Sequence, residues 1–208
     1  MRSAKRVTVD ELTSPPYELF AELTHAQLAE FVLHHFFRRR SWLTYAHHAM
    51  SLATLGAIIA AAYAQDRSFL RCLGDLGLAL VALFLVILPL HELLHAAAYR
   101  LVGARDIRWE YSTRMMAVWV IAHRFVVETR AFLFVALAPF VVLNTLLVMA
   151  AIAFPQYAVF LLFVLLWHLH GSIGDWALLN VVWLHRERGF WTFDDAVAGK
   201  SYFYGRTS

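Results

Sequence analysis

Apolar stretches free of Asp, Glu, Lys and Arg alternate with short charged connections along this chain. Residues 42–65 contain none of those four types over 24 positions, enough for a helix to cross a bilayer core of about 30 Å. A polar connection, Asp66 to Arg71, follows, and a second apolar segment runs from about Cys72 to Tyr99. Residues 131–174 again lack all four types, about twice what one crossing needs. Phe154-Pro155-Gln156 falls in the middle of that stretch and predicts the turn of a helical hairpin. The pattern predicts an all-α membrane protein with four transmembrane helices, at about 42–65, 72–99, 131–153 and 157–185.

The connections carry patterns of their own. In residues 104–130, Ile107, Trp109 and Tyr111 alternate with Arg108 and Glu110, and Trp119 to Val127 reads similarly. This period of two predicts a β-hairpin between the second and third helices, with an irregular loop as the alternative. Ahead of the first span, residues 1–16 are polar and end in Pro15-Pro16, which reads as a disordered or extended tail. Thr24 with Gln27 three residues later is a capping-box signature and predicts a helix to about Phe37. Leu28, Phe31 and Phe36 or Phe37 give it an apolar side, and Arg38-Arg39-Arg40 follow. It fits an amphipathic helix in the membrane interface, or one packed on the protein's own cytoplasmic face. The organisation is thus a leader over 1–41, a transmembrane unit over 42–185 and a tail over 186–208.

Composition agrees. Of 208 residues, 61% are hydrophobic and 16% charged, where a soluble domain is roughly half apolar and a quarter charged. The net charge of +3 comes from Lys and Arg at the edges of apolar segments. Arg2, Lys5, Arg6 and Arg38 to Arg40 precede the first span. Arg100, Arg105, Arg108, Arg114, Arg124 and Arg130 follow the second, and Arg186, Arg188, Lys200 and Arg206 follow the last. The opposite loops hold only Arg67 and Arg71, so both termini are expected to be cytoplasmic. No basic stripe with interleaved aromatics is present, which argues against nucleic-acid binding. Cys72 is the single cysteine and can form neither an internal disulfide nor a thiolate site alone. No cleavable signal peptide is visible, so the first span is expected to direct insertion. A short chain without eukaryotic targeting signals fits a bacterial inner membrane.

Candidate chemistry lies in the second span, where Leu76 to Leu90 carry no charge and His91-Glu92-Leu93-Leu94-His95 follow. Ionisable groups in hydrocarbon cost several kcal/mol unless something binds them. At i and i+4, His91 and His95 share one helix face and can hold one metal ion, with Glu92 offset toward a metal-bound water. Catalytic zinc usually takes three protein ligands and leaves a position for water. In the fourth span Asp175 is the one acidic residue between Glu128 and Glu187. His91 lies nine residues before Arg100 and Asp175 ten before His185, depths of about 13 and 15 Å on helices running the same way. Gly171 and Gly174 would let those helices approach closely. His168 and His170 compete for the third position, or are pore-facing or hydrogen-bonded. Asn144 either binds the substrate backbone or an oxyanion, or makes an interhelical hydrogen bond. His34-His35, His47-His48 and His123 read as interfacial or loop residues. The implied chemistry is peptide hydrolysis, in which Glu92 takes a proton from the metal-polarised water and returns it to the leaving amine.

These residues carry a resemblance. His91-Glu92-Leu93-Leu94-His95, Ala138-Pro139 with Asn144, and Gly174-Asp175 together resemble a membrane family of zincin-type peptidases distantly similar to site-2 intramembrane metalloproteases. The likeness covers about residues 85–185. It implies His91, His95 and Asp175 as zinc ligands, Glu92 as catalytic acid and base, and a β-hairpin between the first two core helices. Site-2 proteases usually show Asn three residues after the Pro and an Asp-Gly pair. Here Asn144 is five after Pro139, and Trp176 follows Asp175. The expected partners are the bilayer and a membrane protein or peptide substrate, with a homo-oligomer or regulatory partner left open. Two other classes compete: a membrane di-iron oxidase or hydroxylase, although clusters such as His-x-x-His-His are absent, and a non-catalytic metal-binding partner protein.

Overall fold

The computed structural model describes residues 7–112 and 117–207. Arg2, Lys5, Arg6 and Arg114, which count toward the expected orientation, lie outside the described residues. Helix α3 (Trp42–Ala64) starts at Ser41, whose hydroxyl accepts the Leu43 N–H at 3.2 Å. After a turn, α4 (Phe69–Ala82) passes through a π-helical stretch, Leu83–Ile87, into α5 (Leu88–Leu101). The π turn sits just before Pro89, which has no N–H for the carbonyl four residues back, and the widened turn absorbs that mismatch. Helix α6 (Thr129–Ala153) contains Pro139. Helices α7 (Ala158–Gly171) and α8 (Ile173–Leu184) meet at Ser172 with a 48° bend, so the predicted span 157–185 is two helices, not one.

Two helices, Phe69–Leu101 and Thr129–Ala153, are long and apolar enough to cross a membrane; the bent pair makes a third if it counts as one span. Helix α3 is long enough too, but dilutes its apolar side chains with Thr44, His47, His48, Ser51 and Thr54. In the bundle α7 packs against α3, α4 and α6, while α5 packs against α6. On the side with few basic residues, Arg67 donates to the Gln156 carbonyl and pairs with Asp75, and Gln65 donates to the Pro155 carbonyl. These bonds tie the two short loops together.

The predicted hairpin is present as β2 (Ile107–Ser112) and β3 (Ala117–Ala122), with Trp109 opposite Val120. Its second strand is shorter than the 119–127 pattern. His123 bridges to Asp194 and the chain turns at Arg124, whose φ is +49°. Val127–Glu128 then forms β4 of a different sheet.

That other sheet was not anticipated. Strand β1 (Tyr17–Thr24) from the leader pairs with β6 (Lys200–Arg206) from the tail, next to β5 (Trp191–Asp195) and β4, all antiparallel. Leader and tail are therefore one structure rather than two appendages. Their aromatic residues form its core: Phe203 lies 5.9 Å from Phe190 and 6.0 Å from Phe31 between ring centres. Gly189 enters β5 at a φ of +71°, and a Cβ there would meet the Trp191 ring at 2.7 Å; both facts require glycine. Residues 7–16 are not the disordered tail expected from composition. Helix α1 (Val9–Leu12) has a Thr8–Glu11 capping box, and Leu12 is fully buried beside Val126, Phe193 and Tyr204.

The leader helix predicted from Thr24 and Gln27 also forms, with the Gln27 side chain accepting both the N–H and hydroxyl of Thr24. It runs as α2 (Leu28–Val32) and continues as a π-helical stretch through Arg38. One side of it packs on the protein's own body. Phe36 is buried, and Asn180 of α8 donates to the carbonyls of His35 and Arg39. Leu33 and Phe37 on its other side stay exposed.

Candidate metal centre

One face of α5 brings the motif together. His91 Nε2 and His95 Nε2 are 3.0 Å apart. Asp175 reaches both from α8, with Oδ2 3.0 Å from His91 Nε2 and Oδ1 3.4 Å from His95 Nε2. The break at Ser172 makes this possible, because it puts Asp175 in the first turn of α8, where free amides favour a carboxylate. The depth argument survives the bend because α8 is unbroken between Asp175 and its end near His185.

Three ligand atoms of a tetrahedral zinc site with bonds of about 2.0–2.2 Å form a triangle with edges of about 3.3–3.6 Å. Here the two imidazole nitrogens are 3.0 Å apart, and the two oxygens of the Asp175 carboxylate lie one against each, Oδ2 at 3.0 Å from His91 and Oδ1 at 3.4 Å from His95, so the separations are close to those values. Two imidazole nitrogens and one carboxylate are also the donors that catalytic zinc takes. The residues therefore fit the metal. His91, Glu92 and His95 likewise offer ligand atoms within 4.8 Å of one another. One oxygen of Glu92, Oε2, also accepts the backbone N–H of Val120 in β3 at 2.9 Å. Asp175 completes the triangle and Glu92 stands beside it.

The remaining predicted residues separate clearly. His168 lies behind His91, with Nε2 2.9 Å from His91 Nδ1 and Nδ1 2.6 Å from Asn144 Oδ1. It is outside the triangle. His170 is exposed and donates to the Leu166 carbonyl of its own helix. Asn144 does not line the cavity next to the site; its contact is the interhelical bond to His168. A Cβ at Gly171 would meet the Leu88 side chain at 3.4 Å, an ordinary contact, and a Cβ at Gly174 would meet nothing within 4 Å. Gly174 therefore keeps space open in the cavity wall rather than joining helices. His47, expected at the interface, is buried in α3 with Nε2 2.9 Å from the Leu169 carbonyl. His123 is the loop residue predicted, accepting the Ala196 N–H at 3.1 Å.

A cavity of about 630 Å³ contains the site. Its helical side is apolar, with Leu83, Phe84, Leu88 and Pro89, and its hairpin side holds Trp109, Val118 and Val120. Its far wall comes from the four-stranded sheet, through Leu23, Thr192, Asp194, Ser201 and Phe203. Sequence reasoning missed this wall, since nothing in the local pattern says that residues 23 and 203 face the motif. It also passed over Tyr99, which lines the cavity and could have been found four residues after His95 on the same helix face.

Helices long and apolar enough to cross a membrane, a zinc-type donor set shared by α5 and α8 and a cavity around it are features compatible with a membrane metallopeptidase. The chain belongs to the family described as "putative zincin peptidase", whose model matches residues 84–188. Membership supports a zinc metallopeptidase in general. No curated protein and no solved structure matches the chain.

Proposed function

We propose that this chain is a zinc-dependent intramembrane metallopeptidase that hydrolyses peptide bonds of membrane-associated substrates. The observation that carries the proposal is the cluster of His91 Nε2, His95 Nε2 and the Asp175 carboxylate, with Glu92 beside it and its Oε2 held by the Val120 N–H. His91, His95 and Asp175 would hold a zinc ion, which would supply a Lewis acid able to bring the pKa of a water toward about 7. Glu92 takes the proton of that water and later delivers it to the leaving amine. The apolar cavity wall keeps bulk water from the reacting groups. An extended substrate segment adds to the outer edge of β3, the side on which Val120 turns its N–H away from β2.

The membrane reading is four crossings, by α3, by α4 with α5, by α6, and by α7 with α8, with both termini cytoplasmic in a bacterial inner membrane. Pairing of β1 with β6 supports it, since leader and tail then share one side and the crossings must be even in number. The bridge from His123 to Asp194 supports the same side for the hairpin loop, as one crossing each by α3 and the α4–α5 helix requires. Clustered Arg and Lys in the same three segments make that side the cytoplasm.

Metal analysis and one variant test the reading. Purified protein should hold one zinc per chain, and Glu92→Gln should keep the zinc while abolishing cleavage of a model membrane-anchored peptide. Two irons per chain would instead favour an oxidase. Full turnover by Glu92→Gln would overturn the mechanism, and a biological role that survives this variant would favour a non-catalytic partner.

A further inference from the structure

We infer that α6 decides which nitrogen each motif histidine offers to the metal, through a carbonyl freed by Pro139 and the amide of Asn144. The inference rests on the zinc reading above. A proline has no N–H, so Pro139 leaves the carbonyl four residues earlier, that of Val135, without its usual helical partner. His95 Nδ1 lies 3.0 Å from that carbonyl oxygen and donates to it. A neutral ring protonated on Nδ1 has its lone pair on Nε2, and Nε2 of His95 is the atom that faces His91 and Asp175.

His91 reaches the same state by a longer route. The Asn144 amide oxygen, 2.6 Å from His168 Nδ1, can only accept, so it holds the His168 proton on that nitrogen. His168 Nε2 is then an acceptor for His91 Nδ1–H at 2.9 Å, and His91 Nε2 is left bare for the metal. Turning the amide round would reverse every donor in the chain and put the His91 proton on Nε2, where the metal must bind. His168 has no exposed surface, so solvent does not stand in for Asn144. Neither Pro139 nor Asn144 lines the cavity. Both act as positioning residues, and they explain why two such residues sit on a helix that contributes no ligand.

The test measures zinc affinity by chelator competition, alongside the melting temperature of the zinc-free protein. Pro139→Ala restores an N–H that competes for the Val135 carbonyl. It should weaken zinc binding by about tenfold or more, yet leave the zinc-free melting temperature equal or higher, because Ala suits a helix interior and Pro does not. A purely structural proline would not separate the two readouts in that direction. Asn144→Leu and His168→Leu should each weaken binding by about 10- to 100-fold. The double variant should lose little more than either single, since both break one path. Asn144→Asp keeps an oxygen toward His168 and should retain affinity. Wild-type affinity in Pro139→Ala, or additive losses in the double variant, would overturn the inference while leaving the zinc reading standing. A wild-type protein that binds no zinc would overturn both.

Discussion

Glu92 Oε2 accepts the backbone N–H of Val120 at 2.9 Å, so the acidic residue of the motif is held by the hairpin and not by its own helix. The bond joins the two parts that a peptidase of this kind must coordinate, the group that moves protons and the strand that would hold the substrate.

Removing that N–H should therefore reduce turnover without removing metal. In Val120→Pro the ladder to β2 is spared, because Val120 donates outward. A hydrogen bond to a charged group is worth about 1.5–3 kcal/mol, so kcat should fall by about 10- to 100-fold. Zinc content should stay that of the wild type. Steady-state cleavage of a model membrane-anchored peptide checks this, and an unchanged kcat would show that the bond does not position Glu92.

Asp175 should behave differently from Glu92. Asp175→Ala removes one corner of the triangle and leaves two histidines, so zinc should fall from about one per chain to near none after dialysis against a mild chelator. Atomic absorption on both variants separates the roles. Comparable zinc in Asp175→Ala would take it out of the ligand set.

What the sequence disclosed here is what local spacing controls. His91 and His95 at i and i+4, the apolar lengths, the alternation of Ile107 to Tyr111 and the Thr24–Gln27 cap all depend on neighbours along the chain. The pairing of Asp175 with the motif followed from comparing depths on two helices, and it withstood the bend at Ser172 because that bend falls on the far side of Asp175. The four-stranded sheet was illegible for the opposite reason. Tyr17 pairs with Arg206 across nearly the whole chain, and no residue near Tyr17 signals that partner. Missing the sheet also meant missing the cavity's far wall and the buried position of Leu12. Asn144 was left between a substrate contact and an interhelical bond because its partner His168 sits on another helix, and sequence alone does not give the rotation of one helix about another.

Phe203 tests whether that sheet matters to stability. It is 2% exposed and packs on Phe20, Phe31 and Phe190. Phe203→Ala should cost about 3–5 kcal/mol and lower the melting temperature, while the variant that still folds keeps its zinc, since Phe203 touches the cavity wall and not the ligands. A melting temperature within a degree or so of the wild type would mean that the leader and tail are dispensable decoration.

His35 predicts a pH response. Its ring packs against Phe31 at 4.5 Å, and its Nδ1 is buried without a hydrogen-bond partner among the described residues. Burial lowers its pKa from 6.5 to about 4, with His34, Arg39 and His185 pushing the same way. The sign follows from proton counting: between those two values the unfolded chain binds a proton that the folded chain refuses. Stability from this residue is thus complete above about pH 6.5 and is lost progressively as the pH falls toward about 4. His35→Phe keeps an aromatic ring against Phe31 and removes the titration, and the Asn180 bond to the residue 35 carbonyl is untouched by the change. Thermal melts at about pH 7.5 and about pH 5 should therefore show a smaller drop for His35→Phe than for the wild type. Equal drops would mean that the acid sensitivity of the protein lies elsewhere.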